Sequence, residues 1–212
     1  MSYVLIKGGQ SEVVVKKSRF IGEVFAVNNE EEAAGIVADM KKKYYDARHN
    51  CFAYSLDEGK VIKSSDDGEP SGTAGRPILD VITGADVSGA LIVVTRYFGG
   101  TLLGCGPLSR AYMQSAKEAL EDSTISLKMK GYQADIKLSY QMYGKFEYLA
   151  STLNINILNT EYKEDVVSTV LIPSENKDAF TKKLTDITGG ATKLNLDNEV
   201  IYAINEGKVL YF

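Results

Sequence analysis

Ala90-Leu91-Ile92-Val93-Val94-Thr95-Arg96-Tyr97-Phe98-Gly99-Gly100-Thr101-Leu102-Leu103-Gly104-Cys105-Gly106-Pro107-Leu108-Ser109-Arg110 organises the reading of the whole chain. It opens on a continuous apolar run, Ala90 to Val94, the pattern of a central strand buried on both faces. It closes on a helix expected from about Pro107 to Glu121, with Leu108, Ala111, Ser115 and Ala119 on one face and the proline in the first position. Backbone donors at a helix N-terminus, reached through Gly99, Gly100, Gly104 and Gly106, make a natural anion site. Arg110 in the first turn faces the positive end of the helix dipole, which costs about 0.3–1 kcal/mol. A negative group belongs beside it: a bound phosphate, or an internal carboxylate such as Glu69 or Asp80.

The second dense segment is Ser64-Ser65-Asp66-Asp67-Gly68-Glu69-Pro70-Ser71-Gly72-Thr73-Ala74-Gly75-Arg76-Pro77, with three carboxylates, one arginine and three glycines. Nine of the chain's 19 glycines lie between Gly68 and Gly106, so this region holds the tight turns or close approaches. Standard nucleotide motifs fail here. Gly99 to Gly104 has the opening spacing of a P-loop, but Cys105-Gly106 replaces the required Lys-Ser/Thr. Gly104-Cys105-Gly106 lacks the third glycine of the dinucleotide pattern, since Ser109 stands there. His49 and Cys51 share one face of a strand, His49 to Leu56. No third group orients them as a nucleophile pair, so a buried thiol and a hydrogen-bonded histidine are expected. Asp66, Asp67 and Glu69 suit a turn better than a Mg²⁺ site. No catalytic residue, metal ligand or cofactor is assigned.

Outward from these segments, strands are expected at Glu12–Val15 and Phe20–Phe25, then a helix from about Asn29 to Tyr45 with Ala33, Val37, Met40 and Tyr44 on its apolar face. Its acidic first turn (Glu30 to Glu32) and basic last turn (Lys41 to Lys43) oppose the dipole charges. Asp57-Glu58-Gly59 turns into a strand over 60–64, and Thr124 to Lys130 reads as the strand that closes the first domain. Beyond a division near Gly131 the order is strand (132–140), helix around Phe146 to Leu153, strand (156–162), strand (166–172), helix around Phe180 to Ile187 ended by Gly189-Gly190, and strand material over 191–204. That order suits a ferredoxin-like βαββαβ unit. Tyr140, Tyr143 and Tyr148 can stack on bases, but packing against the sheet is the commoner role. The expected class is α+β, with domains 1–131 and 132–212.

At 212 residues, 44% hydrophobic and 25% charged, the chain can bury a core without disulfides or a structural metal. The net charge of −4 excludes a strongly basic nucleic-acid binder but not a local basic face. Neither domain is basic: 16 basic and 17 acidic residues precede residue 132, and 8 and 11 follow. Two cysteines and one histidine exclude a zinc framework and a two-histidine metal site. No apolar run spans a bilayer and the N-terminus has no signal-peptide pattern, so a cytoplasmic protein with no membrane partner is expected.

His49-Asn50-Cys51-Phe52-Ala53-Tyr54, Asp66-Asp67-Gly68-Glu69-Pro70 with Gly72-Thr73-Ala74-Gly75, and Arg96-Tyr97-Phe98-Gly99-Gly100 with Arg110-Ala111-Tyr112 together resemble the YigZ/IMPACT family. The resemblance covers most of residues 1–130, and the second domain looks like the smaller C-terminal domain of the bacterial members. It implies a first domain similar to the second domain of a small-subunit ribosomal protein (the S5 domain 2-like fold) and to domain IV of elongation factor G. It also implies a role in translation: eukaryotic members regulate translation through protein contacts, and RNA or ribosome binding is the usual proposal for bacterial ones. The sequence departs from the family pattern at Leu102, where a lysine is common, and at Pro107, where a glycine is usual.

The first expectation is therefore a non-catalytic protein that binds RNA, the ribosome or a translation factor, with Lys63, Arg76, Arg96 and Arg110 on phosphates and Gly99, Gly100, Gly104 and Gly106 admitting backbone donors. A second reading is an enzyme acting on a small phosphorylated or carboxylated ligand, with Asp66, Asp67 or Glu69 as base or metal ligand. A third is a protein-docking module. The oligomeric state is open.

Overall fold

The computed structural model describes residues 2–192, 194–196 and 198–212. Met1, Lys193 and Asp197 lie outside the described residues, and two of them fall in the expected strand material of 191–204. The chain divides into two compact units, Met1–Leu127 and Lys128–Phe212. Gly131, where the sequence reading divides the chain, lies inside a strand. Among the described residues no helix is long and apolar enough to cross a membrane.

The first unit is built around β7 (Ala90–Tyr97), the centre of an antiparallel five-stranded sheet. Its neighbours are β3 (Ser18–Ala26) and β4 (His49–Leu56), and the edges are β2 (Gln10–Val15) and β5 (Val61–Ser65). The apolar run is continuous because helices cover both faces of the strand. Ala90, Ile92 and Val94 join a core with α2 (Gly75–Gly84) and α3 (Cys105–Glu121). Leu91 and Val93 join a second core with α1 (Glu30–Lys43), through Ala33, Val37 and Met40. Asn29 caps α1 by accepting from the Glu32 N–H, and the Glu32 carboxylate accepts from the Asn28 N–H. A small three-stranded sheet pairs β1 (Tyr3–Lys7) parallel to β6 (Val87–Ser88) and antiparallel to β8 (Thr124–Leu127), which closes the unit.

Three local expectations change. The sequence reading assigns no helix between Gly68 and Ala90, yet α2 occupies ten residues there, burying Pro77, Ile78, Leu79 and Ile82. Helix α3 begins two residues before Pro107, which takes the third position rather than the first. The proline is still tolerated, because the first four helical N–H groups have no intrahelical acceptor. The strand read over 124–130 is two strands, β8 and the start of β9 (Met129–Leu138).

The second unit follows the order β9, α4 (Tyr140–Thr152), β10 (Asn156–Tyr162), β11 (Val166–Pro173), α5 (Lys177–Thr188), β12 (Glu199–Asn205). A further strand, β13 (Lys208–Tyr211), has no counterpart in the sequence reading. The antiparallel sheet runs β10-β11-β9-β12-β13. Ile136, Val170 and Ile172 face Phe146 of α4 and Phe180 and Leu184 of α5 in one core. Gly189 adopts φ 59°, the left-handed conformation that ends α5.

Candidate functional site

The loops that carry the motifs meet at one end of the five-stranded sheet. There β7 ends, β4 begins, β5 ends, the β2–β3 hairpin turns at Lys16-Lys17, and α2 and α3 both start. His49 pairs with Arg96 across β4 and β7, and Arg19 pairs with Tyr97 across β3 and β7.

The centre of this end is a buried polar cluster. The Glu69 side chain is 4% exposed and that of Arg96 is 7% exposed. Arg96 Nη1 donates to Glu69 Oε1 at 2.6 Å, and the Tyr112 hydroxyl donates to the same oxygen at 2.8 Å. Phe20 and Phe98 lie 5.4 and 5.6 Å from the guanidinium carbon. The Phe20 ring meets Tyr112 edge-on at 5.1 Å. His49 Nε2 stands 3.9 Å from Glu69 Oε2. On its other side, His49 Nδ1 donates to the Asp67 carbonyl at 2.8 Å, since a carbonyl can only accept. The Cys51 thiol donates to the Asp66 carbonyl at 3.0 Å and lies 3.4 Å from the Tyr112 hydroxyl. Burial pushes both the Cys51 thiol and the Tyr112 hydroxyl well above their ordinary values, so Cys51 is held as a thiol.

The carboxylates around this cluster are committed to the fold. Asp66 accepts backbone N–H bonds from Gly72, Ala74 and Gly75 at 2.8–2.9 Å, and so closes the start of α2. Asp67 accepts from the Asn50 N–H at 2.7 Å and pairs with Lys41. The Thr73 hydroxyl donates to the Pro70 carbonyl and Tyr97 donates to Asp46, while Tyr54 donates to Glu30 at the start of α1, toward the opposite end of the sheet. Gly68 and Gly72 take φ 89° and 75° in the same loop. Among the described residues no three His, Cys, Asp or Glu side chains converge as a metal site.

Burial raises the Asp66 carboxyl, but the three N–H donors outweigh it, and it titrates below the ordinary carboxylate value. A folded value below the unfolded one gives stability that is present above about pH 4 and lost as pH falls through the folded value. Asp66→Asn is therefore expected to lose about 1–3 kcal/mol at neutral pH. The difference from the native chain should shrink in acid, as the native carboxyl takes up its proton. Denaturant unfolding of both proteins across pH checks this, and a pH-independent difference would contradict it.

The anion-site residues divide. Arg96 is in the buried cluster rather than on the surface, 5% exposed and paired with Glu69. Arg76 lies on α2, paired with Asp80 at 2.8 Å, and remains exposed. Asp80 and Glu69 are thus both taken, and neither is the partner of Arg110. Arg110 is exposed with no carboxylate partner among the described residues, and its Nη1 sits 3.6 Å from where a Gly106 side chain would begin. Lys63 is exposed on the edge strand β5, paired in register with Tyr54.

The glycine-rich loop is built onto the β2–β3 hairpin. A Cβ on Gly99 would stand 2.1 Å from the Lys17 carbonyl carbon and 2.3 Å from the Ser18 nitrogen. The Gly99 N–H donates to Ser18 Oγ at 3.1 Å, and Gly104 enters α3 at φ 78°. Gly99→Ala is expected to cost about 1–3 kcal/mol, because backbone rather than a flexible side chain must move. A urea midpoint equal to that of the native chain would contradict this.

Sequence reasoning missed Lys16, Lys17 and Arg48. All three are exposed at this end, and none has an acidic partner among the described residues. The available signal was positional: two lysines at the tip between strands, and an arginine just before the His49 strand.

The comparisons with known proteins agree with this anatomy. Residues 16–120 match the family model of the Impact N-terminal domain. Residues 136–191 match that of a domain of unknown function, DUF1949. IMPACT family member YvyE of Bacillus subtilis is 35% identical over 95% of this chain and 93% of its own length. IMPACT family member YigZ of Escherichia coli is 34% identical over 85% of this chain and 90% of its own length. The chain belongs to the IMPACT family. A crystal structure described only as that of a hypothetical protein is similar throughout, with 31% identity, a TM-score of 0.59, and coverage of 97% of this chain and 98% of that one.

Proposed function

We propose that this is a non-catalytic, translation-associated protein of the cytoplasm that binds RNA phosphates, on the ribosome in particular, through the motif end of the first unit. We read that unit as the S5 domain 2-like fold and the second as ferredoxin-like with an added strand, β13, with the division at residues 127–128. The observation that carries the functional reading is an imbalance of partners. Glu12, Asp46, Asp66, Asp67 and Glu69 are each held by a side chain or backbone donor. Lys16, Lys17, Arg48 and Arg110 at the same end have no acidic partner among the described residues. Phe98 and Leu102 are exposed beside them, 42% and 85%. A cationic rim with apolar tips is suited to phosphates and to the flat faces of unpaired bases. Lys63 and Arg76 extend the rim, and Arg96 with Glu69, Tyr112 and Cys51 forms the rigid base beneath it.

The enzymatic reading has less support. The Cys51 thiol is buried and held protonated, and the three carboxylates of the 66–69 loop are engaged by Asp66 and Asp67 bonds to backbone N–H groups and by the Glu69–Arg96 pair. Fluorescence anisotropy of a labelled single-stranded ribosomal RNA fragment tests the proposal. With about four phosphates neutralised on a single strand, affinity should fall roughly 50-fold between about 50 and 200 mM salt. Absence of binding at the lower salt would overturn it.

A further inference from the structure

Outside the motif end, a groove of about 560 Å³ runs between α4 and α5 of the second unit. That volume lies within the ~300–1,000 Å³ of small-molecule sites. Its floor is Leu149 and Ile187, and the ring of Tyr148, 76% exposed, stands along it. Lys145 of α4 and Lys183 of α5 flank the floor, with Asp186 also on the lining. Neither lysine has a carboxylate partner among the described residues. The lining therefore carries two cations and one anion, an excess of one positive charge beside an apolar surface. Gly144 also lines the groove, within α4. A glycine there costs about 1 kcal/mol relative to alanine. No internal contact demands it, since a Cβ at Gly144 would meet nothing within 4 Å. Its missing side chain keeps the groove wide.

We infer that this groove binds a small amphipathic monoanion: a carboxylate or sulfonate carried on an aromatic or branched aliphatic body. The body lies on Leu149 and Ile187 beside the Tyr148 ring, and the anionic head is held by Lys145 and Lys183. The inference is independent of RNA binding by the first unit.

The test titrates the full chain with 8-anilinonaphthalene-1-sulfonate, followed by fluorescence and by amide NMR. The expected result is saturable single-site binding with shifts confined to α4 and α5, including Gly144, Tyr148 and Ile187. Lys145→Glu/Lys183→Glu should weaken it about tenfold or more, because two exposed ion pairs become repulsive, while thermal unfolding stays unchanged. N-phenyl-1-naphthylamine, the same ring system without the sulfonate, should be indifferent to the charge reversal. The inference is overturned if binding does not saturate, if the shifts lie elsewhere, or if the charge reversal leaves the sulfonate affinity unchanged. It is also overturned if the native chain forms a concentration-dependent dimer that the double variant abolishes, since a second copy would then be the occupant.

Discussion

Glu69→Ala is expected to destabilise the first unit by about 3–5 kcal/mol, the cost of leaving one member of a buried ion pair alone. The structure gives Arg96 little to fall back on. Among the described residues its Nε has no hydrogen-bond partner, and its Nη2 meets Ser18 Oγ at 3.5 Å. The Tyr112 hydroxyl loses its acceptor in the same step. Glu69→Gln should cost less, since the amide oxygen still accepts from both donors but without the charge. Replacing the pair together, as Glu69→Leu/Arg96→Met, should recover much of the loss, because no buried charge remains. Hydrogen exchange of the β7 amides reads the unfolding of this unit directly, since its central strand opens only with the whole unit. A loss below about 1 kcal/mol for Glu69→Ala would show that the cluster is not the rigid base described here.

The second large effect is on binding. Removing Lys16, Lys17, Arg48 and Arg110 together should weaken RNA binding roughly 100-fold at low salt and take most of the slope out of its salt dependence. Among the described residues none of the four makes an ion pair, so stability should change by no more than about 0.5 kcal/mol. Arg48→Ala and Arg110→Ala should each lower the slope by about one. Arg96→Ala should instead act on folding, because its charge faces inward. Leu102→Lys restores a cation at the loop tip, 85% exposed, and should strengthen binding and steepen the slope. Isothermal measurements at several salt concentrations on all these proteins separate rim from base.

The contrast between Arg96 and Arg110 shows where sequence reading succeeds and where it stops. Ala90 to Val94 announced a strand covered on both faces, and two separate cores supply the covers. The acidic and basic ends of α1 and the left-handed Gly189 were legible because capping and dipole effects are local. Helix α2 is hidden in the sequence: glycines stand at both its ends, and Asp66, nine residues before Gly75, supplies the bonds that start it. β13 is only four residues long and follows a tight turn at Glu206-Gly207. The motif residues were found as a set, but not their division of labour. Arg96 is buried because Glu69, 27 residues earlier in the chain, is brought against it by the fold. Residue type alone marks both arginines as cations; only the packing separates a structural charge from an available one. Lys16, Lys17 and Arg48 are illegible for the converse reason: what marks them is their exposed position at the motif end, not a motif of their own.

Ribosome binding by the cationic rim is read by co-sedimentation at about 50 and about 200 mM salt, comparing the native chain with the variant lacking Lys16, Lys17, Arg48 and Arg110. The native chain is expected to pellet at low salt and to be largely released at the higher salt, while the variant, folded as judged by its unfolding curve, stays in the supernatant at both. A native chain that fails to pellet at low salt, or a variant that pellets equally well, would contradict it.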